Sequence, residues 1–457
     1  MARMKFYDRE TELEILQKTY LRSGSDFIVV SGRRRIGKSR LIDEFAKDKK
    51  AIKVLIVPKE EKQVARDVEA EVRLKFGYSP SFVSLKDAFE YLFEQNVSLI
   101  CLDEFSNVLV VNQAVPYELQ KLWDKYKDST DVMLVVSGSY AGLMNRLFAA
   151  KKAPLFNRAT SAINLGQLSF GTVSSILSDF GVSLPSEQVS FYCVFGGVPF
   201  YYVLLEKLEN RSFESGVNSL FFDVGAQLKE EGENVLRQEF GNAYAKYYAV
   251  LEAISAGYVS MNEISQKVGV RSTTLTKYLW ALMHDFKIVE RIVPFGEKPA
   301  RSKKGLYFIV DNTLAFWFSE VYGKLSAPRR EELSSFISKR FEILCRQFLC
   351  EFLIARGERL LTAGKWWGAI KVKGHSEQRE IDLVVETDKA IYVGECKWTQ
   401  QKVGQRELNW LKESAQAFAT INKPVKFVFF SKSEFEALTD EDVLTFDTHQ
   451  LMKKSTR

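Results

Sequence analysis

Phe27-Ile-Val-Val-Ser31 is a short apolar run of strand character that leads directly into Gly32-Arg33-Arg34-Arg35-Ile36-Gly37-Lys38-Ser39. The latter stretch fits G-x-x-x-x-G-K-[ST], and the apolar spacing of Leu41, Ile42 and Phe45 predicts a helix immediately after it. Strand, glycine loop and helix in that order make a phosphate cradle. The glycines let backbone N–H groups close around the anion, and the helix N-terminus adds its positive dipole end. In this reading the backbone from Gly32 to Arg40 wraps the phosphates of ATP, Lys38 holds the β- and γ-phosphates, and Ser39 ligates Mg²⁺.

Outward from the loop, a second apolar run, Val97 to Leu102, ends in Asp103-Glu104. A buried strand with two carboxylates at its C-terminal edge suits two roles: Asp103 fixes Mg²⁺ through water, and Glu104 polarises the water that attacks the γ-phosphate. Between the two motifs lies another strand candidate, Ile52 to Val57, so the acidic strand is not the next one in sequence. That agrees with the branch of P-loop enzymes that carries a catalytic Glu and inserts a strand. A third run, Val132 to Val136, ends in Ser137-Gly138-Ser139. The Ser139 hydroxyl either senses the γ-phosphate or caps a helix through Gly142-Leu143-Met144.

The bulk of the chain sets wide bounds. At 457 residues it is expected to hold two to four domains. Hydrophobic residues at 46% and charged residues at 27% exclude disorder, and no apolar run approaches the length needed to span a bilayer. The opening MARMKFYDRE lacks the apolar core of a signal peptide, so the expected location is the cytoplasm, with no membrane partner. Five cysteines without CxxC spacing and three isolated histidines read as reduced thiols and no zinc site. A net charge of +6 permits contact with nucleic acid without requiring it.

Taken together, these motifs resemble the archaeal ATPase family within the AAA+/STAND group of P-loop proteins. The segment Phe6-Tyr-Asp-Arg9-Glu10-x-Glu12-Leu13 is similar to the box that this family places before the P-loop, which implies that Arg9 helps seat the adenine. Gly138-Ser139 matches the family's Gly-Ser after the fourth strand. Pro154-Leu-Phe-Asn-Arg158 resembles its Pro-Leu-Tyr-Gly-Arg stretch, with Asn in place of Gly, which makes Arg158 the candidate arginine finger. Gly196-Gly197-Val198-Pro199 fits its Gly-Gly-x-Pro, so Pro199 joins the nucleotide-site residues. The resemblance covers residues 1 to about 325. If Arg158 acts on a neighbouring subunit, a homo-oligomer formed through the ATPase domain is required for turnover.

Residues 245 to 315 read as helix, helix, helix, hairpin. Ser260-Met-Asn-Glu263 is a capping box, Thr274 to Phe286 is an amphipathic helix, and Lys287–Val293 and Leu306–Val310 are two strands. This is a winged-helix pattern. Arg271, Ser272, Thr273 and Lys277 are then candidate DNA readers, and Lys298, Arg301, Lys303 and Lys304 candidate phosphate contacts on the wing. The same module can instead dock protein.

The C-terminal part shows a helix bearing Phe341-Glu342, then strand candidates Ile370–Val372, Glu380–Val385 and Ala390–Lys397. Period-two alternation places Asp382, Glu395 and Lys397 on one face. Two carboxylates there can hold Mg²⁺, with Lys397 orienting the water that attacks a phosphodiester. The pattern resembles the PD-(D/E)XK restriction-endonuclease-like superfamily. Asp382, Glu395 and Lys397 match its core and Glu342 its extra helical acid, with Ile381 where the superfamily often has Pro. Gln405, opening the next helix, is a weaker candidate for backbone or base contact.

The expected architecture is therefore multidomain α/β: a P-loop, AAA+-like parallel-sheet ATPase core over 1–165, a helical lid over 166–240, a winged helix over 241–325 and a nuclease-like α/β domain over 335–457. The expected cofactors are ATP and Mg²⁺. The expected partner is DNA, a polyanion that Lys371, Lys373, Lys453 and Lys454 would also favour. The competing expectation is an ATP-driven regulatory switch whose nuclease-like domain only binds.

Overall fold

The structure, a computed structural model, describes residues 4–139, 144–149, 151–240, 244–372, 374–418, 421, 423–438 and 442–452. Lys373, Lys453, Lys454 and the Gly142-Leu143 part of the capping alternative lie outside the described residues. The chain forms two compact units, one made of Met1–Gln167 with Val198–Phe200, the other of Leu168–Gly197 with Tyr201–Arg457.

The first unit is built on a five-stranded parallel sheet of β1 (Asp26–Ser31), β2 (Ala51–Leu55), β3 (Leu99–Asp103), β4 (Met133–Gly138) and β5 (Ser161–Asn164), in the order β2-β3-β4-β1-β5. β3 and β4 are buried along their whole length, as expected for parallel strands covered on both faces. Phe27, Ile52, Leu102, Leu134 and Trp123 share one core with the helices Glu61–Phe76, Leu85–Glu94 and Val115–Tyr126. The strand inserted between β1 and the acidic β3 is β4, from later in the chain. All C-terminal strand ends therefore point to one edge, where the glycine loop, Asp103-Glu104 and Ser139 emerge.

The second unit begins with helices, among them Phe170–Asp179, Pro185–Phe195 and Glu231–Phe240. Their core is aromatic: Phe195 packs on Tyr201, Tyr202 and Phe221, and the Tyr201 hydroxyl donates to Glu231 at 2.9 Å. Gly197 has no room for a side chain, because a Cβ there would lie 2.0 Å from the Leu168 carbonyl oxygen. Next come the helices Tyr244–Ser255, Met261–Val268 and Ser272–His284, then the antiparallel hairpin β6 (Val289–Ile292) and β7 (Leu306–Ile309). The Ser260–Glu263 capping box forms with both reciprocal bonds, at 2.9 and 3.3 Å.

The long helix Arg330–Ala355 precedes a mixed five-stranded sheet of β8 (Leu360–Val372), β9 (His375–Thr387), β10 (Ile391–Lys397), β11 (Val425–Ser431) and β12 (Val443–Asp447), in the order β12-β11-β10-β9-β8. The first two strands are 13 residues each, far longer than their sequence pattern indicated. Their distal halves pair only with each other, from Trp366–Ile381 to Val372–His375, while β10 meets β9 only over Leu383–Glu386. Polar residues such as Glu377 and Gln378 stay exposed on this arm, so no apolar alternation marks it. The arm is packed at its base: Phe295, from the β6–β7 loop, inserts beside Trp366 and Phe418, and its N–H donates to the Lys365 carbonyl at 2.8 Å.

Candidate functional site

The glycine loop ends at Gly37, whose φ of 99° lies in the left-handed region that glycine tolerates, and the helix Lys38–Ala46 follows. Ser39 is exposed in its first turn, Arg34 is exposed, Ile36 is buried, and Arg33 and Arg40 are half-buried. Arg35 has φ 69°, and its guanidinium lies 4.1 Å from the centre of the Phe200 ring. Pro199 packs over Gly37, 3.9 Å from where a Cβ would stand.

Lys38 is buried, and its ammonium donates to the carbonyls of Gly32 (3.0 Å) and Arg33 (3.2 Å) and to Ser139 Oγ (2.7 Å). Ser139 Oγ donates onward to Glu104 Oε1 at 2.5 Å. One buried hydroxyl thus joins the ammonium of the glycine loop to the candidate catalytic carboxylate. Glu104 has φ 51°, an uncommon left-handed conformation for a carboxylate residue. Its N–H is given to Asp103 Oδ1 (3.1 Å) and Ser137 Oγ (3.3 Å). The Ser137 hydroxyl itself donates to Asp103 Oδ1, a contact that sequence reading did not single out. Asp103 is buried. A cation lined by carbonyls, together with a serine and an aspartate offering hard oxygen donors, fits an anion and Mg²⁺. β4 separates β1 from β3, so Asp103 stands about 10 Å across the sheet from β1, a gap that suits contact through water.

Arg9 is buried. It gives one guanidinium N–H to Gly166 O at 2.6 Å and another to Glu12 at 3.3 Å. Arg158 is placed elsewhere: it pairs with Asp124 through two nitrogens at 2.9 and 3.2 Å. It precedes β5, and Thr160 N–H already donates to Phe27 O, near the start of β1. About 17 Å of strand, at ~3.3 Å per residue, separates that level from the glycine loop. Arg158 thus stands at the opposite end of the sheet from the glycine loop of its own chain.

In the second unit, Arg271, Ser272, Thr273 and Lys277 are exposed along the helix Ser272–His284. Lys298, Arg301, Lys303 and Lys304 are exposed in the β6–β7 loop, where Lys304 is paired with Glu297 at 2.9 Å. The root of this loop is docked through Phe295, so only its tip projects. Gln405 begins the helix Gln405–Ser414 and bonds Asn409 at 2.9 Å.

The C-terminal acids converge at the fork where β9 and β10 part. Glu395 and Lys397 share the Val393 face of β10 and bond each other at 2.7 Å. β9 leaves β10 after Leu383–Gly394, and Asp382, in that gap, accepts the Cys396 N–H at 3.0 Å. Glu342 enters from the helix Arg330–Ala355 and accepts from Lys365 at 2.7 Å. Burial, then the charge on Asp382, pushes both Glu342 and Glu395 up to about 7. Burial also raises Asp382, against the pull of the Cys396 N–H. Among the described residues no group of three His, Cys, Asp or Glu side chains is arranged to hold a metal ion, and Glu342 and Glu395 are paired with Lys365 and Lys397. Composition and burial suit a hard divalent cation that displaces the ammonium groups. Lys365 stands between the half-buried Gly364 and Trp366, in a part of β8 that the sequence pattern did not indicate, and Glu380 was read only as the start of a strand.

Among the described residues no helix is long and apolar enough to cross a membrane. Residues 6–205 match the family described as "ATPase domain predominantly from Archaea", and residues 309–409 match "Archaea bacterial proteins of unknown function". The uncharacterized protein MJECL04 of Methanocaldococcus jannaschii is 29% identical over 87% of this chain and 88% of its own length. The uncharacterized ATP-binding protein MJ0423 of the same organism is 40% identical over 10% of this chain and 76% of its own length. Among solved structures, the Walker-type ATPase Paby2304 of Pyrococcus abyssi is similar with a TM-score of 0.53 and 17% identity, covering 70% of this chain and 98% of that one. At that identity the likeness concerns the fold.

Proposed function

The N-terminal part of this chain, residues 6–205, belongs to the ATPase family found predominantly in Archaea, and from that premise we propose that the protein is a Mg²⁺-dependent ATPase that acts on DNA through its second unit. The observation that carries the ATPase reading is the chain of contacts from Lys38 through Ser139 to Glu104. When phosphate arrives, Lys38 exchanges loop carbonyls for phosphate oxygens, and Ser139 is left to aim Glu104 at the attacking water. Ser39 and Asp103 would hold Mg²⁺, which would supply positive charge to the phosphates. Arg158, at the far edge of the sheet, serves a neighbouring subunit.

For the second unit, the exposed Arg271, Thr273 and Lys277 with the lysines of the loop tip support contact with a phosphate backbone. Trp280, 54% exposed one turn beyond Lys277, adds a stacking surface. The gathering of Glu342, Asp382, Glu395 and Lys397 supports a restriction-endonuclease-like site for metal-dependent phosphodiester cleavage. Asp382 and Glu395 would hold the metal, and Lys397, beside Glu395, would orient the water. One observation favours the alternative, a regulatory switch that binds without cutting: lysines already neutralise two of the site's carboxylates.

Cleavage of supercoiled, linear and branched DNA with Mg²⁺, with and without ATP, tests this. Loss of cutting in Asp382→Ala and altered cutting in Lys38→Ala establish an ATP-regulated nuclease. Absence of cutting beside intact ATP hydrolysis establishes the switch.

A further inference from the structure

Lys365 occupies an unusual position in the fork. Its ammonium lies 2.7 Å from Glu342 and 2.8 Å from Glu380, on a side chain only 18% exposed. Its backbone carbonyl accepts the Phe295 N–H at 2.8 Å, and the Phe295 ring is buried 5.6 Å from that of Phe418. The β8–β9 register shifts between Gly364 and Trp366, across from the segment that carries Asp382. Such an irregularity re-aims side chains, and here it sits beside the convergent acids. Lys365 is thus held at three points, two acidic and one backbone, inside a cluster of buried carboxylates that needs a cation.

We propose that Lys365 is the resident cation of the carboxylate fork: its ammonium balances the charge that a divalent metal balances once loaded, and so raises the metal concentration at which the site fills. This rests on the metal-site reading given above. The physical basis is competition. Buried carboxylates repel one another, and one mobile cation within reach lowers that repulsion enough to hold them together. A metal enters only by displacing the ammonium from Glu342, and Glu380, 59% exposed in its side chain, helps hold the lysine in that competing position. The β6–β7 loop sets the resting position of Lys365 through Phe295, which links the basic loop tip to the acidic fork.

The test is Mn²⁺ binding to the full chain without nucleotide, by electron paramagnetic resonance and calorimetry at about pH 8.5, where the carboxylates are ionised. Lys365→Met is expected to bind Mn²⁺ about tenfold tighter than wild type, since one competing charge is gone. Glu380→Gln, which loosens the lysine from its outer anchor, is expected to bind a few-fold tighter, and Asp382→Ala to lose this Mn²⁺. Unchanged or weaker binding in a Lys365→Met protein that melts like wild type overturns the proposal. Weaker binding in Glu380→Gln also overturns it, because Glu380 would then be a ligand and not the lysine's anchor. If Lys365→Met fails to fold, Glu380→Gln alone decides. Mn²⁺ binding that survives Asp382→Ala removes the metal-site reading itself, and is told apart because it shows in that variant.

Discussion

Replacing Ser139 by alanine removes one hydroxyl that is bonded to two charged groups, Lys38 at 2.7 Å and Glu104 at 2.5 Å, in a position only 5% exposed. A hydrogen bond to a charged partner contributes about 1.5–3 kcal/mol, and the two bonds have different fates during turnover. Bound phosphate replaces the bond to Lys38, so its loss leaves ATP affinity within about threefold of wild type. The bond to Glu104 persists and aims the carboxylate. Losing it raises the barrier by about 1.5–3 kcal/mol, which lowers turnover about 10- to 150-fold. Phosphate release at saturating ATP, together with direct titration of a fluorescent ATP analogue, separates the two effects. Ser139→Thr, which keeps the hydroxyl, is expected to recover most of the activity. Wild-type turnover in Ser139→Ala refutes the reasoning. So does a loss confined to affinity with turnover unchanged, since the hydroxyl would then serve ground-state binding alone.

Lys38→Ala is expected to lower ATP affinity at least about tenfold and abolish hydrolysis, as calorimetry and phosphate release will show, because no other buried ammonium reaches the loop carbonyls among the described residues. Arg158→Ala is expected to leave the rate per chain independent of protein concentration, whereas in wild type the rate rises with concentration as neighbours supply the guanidinium, a gain of about 10³ at saturation. Glu342 and Glu395, pushed up to about 7 by burial and mutual charge, give a stability signature. Between about pH 4.5 and 7 the folded chain binds more protons than the unfolded one, so stability falls as pH rises, by up to about 1.4 kcal/mol per pH unit for each group. Urea denaturation across this range is expected to show a shallower fall in Glu342→Gln. Gly197→Ala places a Cβ 2.0 Å from the Leu168 carbonyl, and thermal melting is expected to register a loss of about 3 kcal/mol or more.

What the sequence determined by itself is whatever a single turn of backbone encodes. The glycine loop, the lysine that opens its helix and the Ser260–Glu263 capping box depend on residues within a few positions of one another, and their spacing is their structure. The acidic end of β3 was legible for the same reason: a run of apolar residues stops at two charges. Only the tertiary structure decided which strand lies between β1 and β3, because β1, β3 and β4 carry much the same apolar pattern and sheet order follows from how helices pack across them. It brought Ser139 onto Lys38 across 101 residues, and it set Arg158 at the far end of β5, a polarity that spacing alone does not contain. In the C-terminal sheet, alternation assigned Glu395 and Lys397 to one face correctly, since neither leaves its strand. Asp382 reaches the same place from the point where β9 parts from β10, a parting that alternation does not encode, and Lys365 is brought there by the shift in β8–β9 register between Gly364 and Trp366. Local chemistry is written in neighbouring residues, whereas the meeting of distant charges is settled by the packing of whole elements.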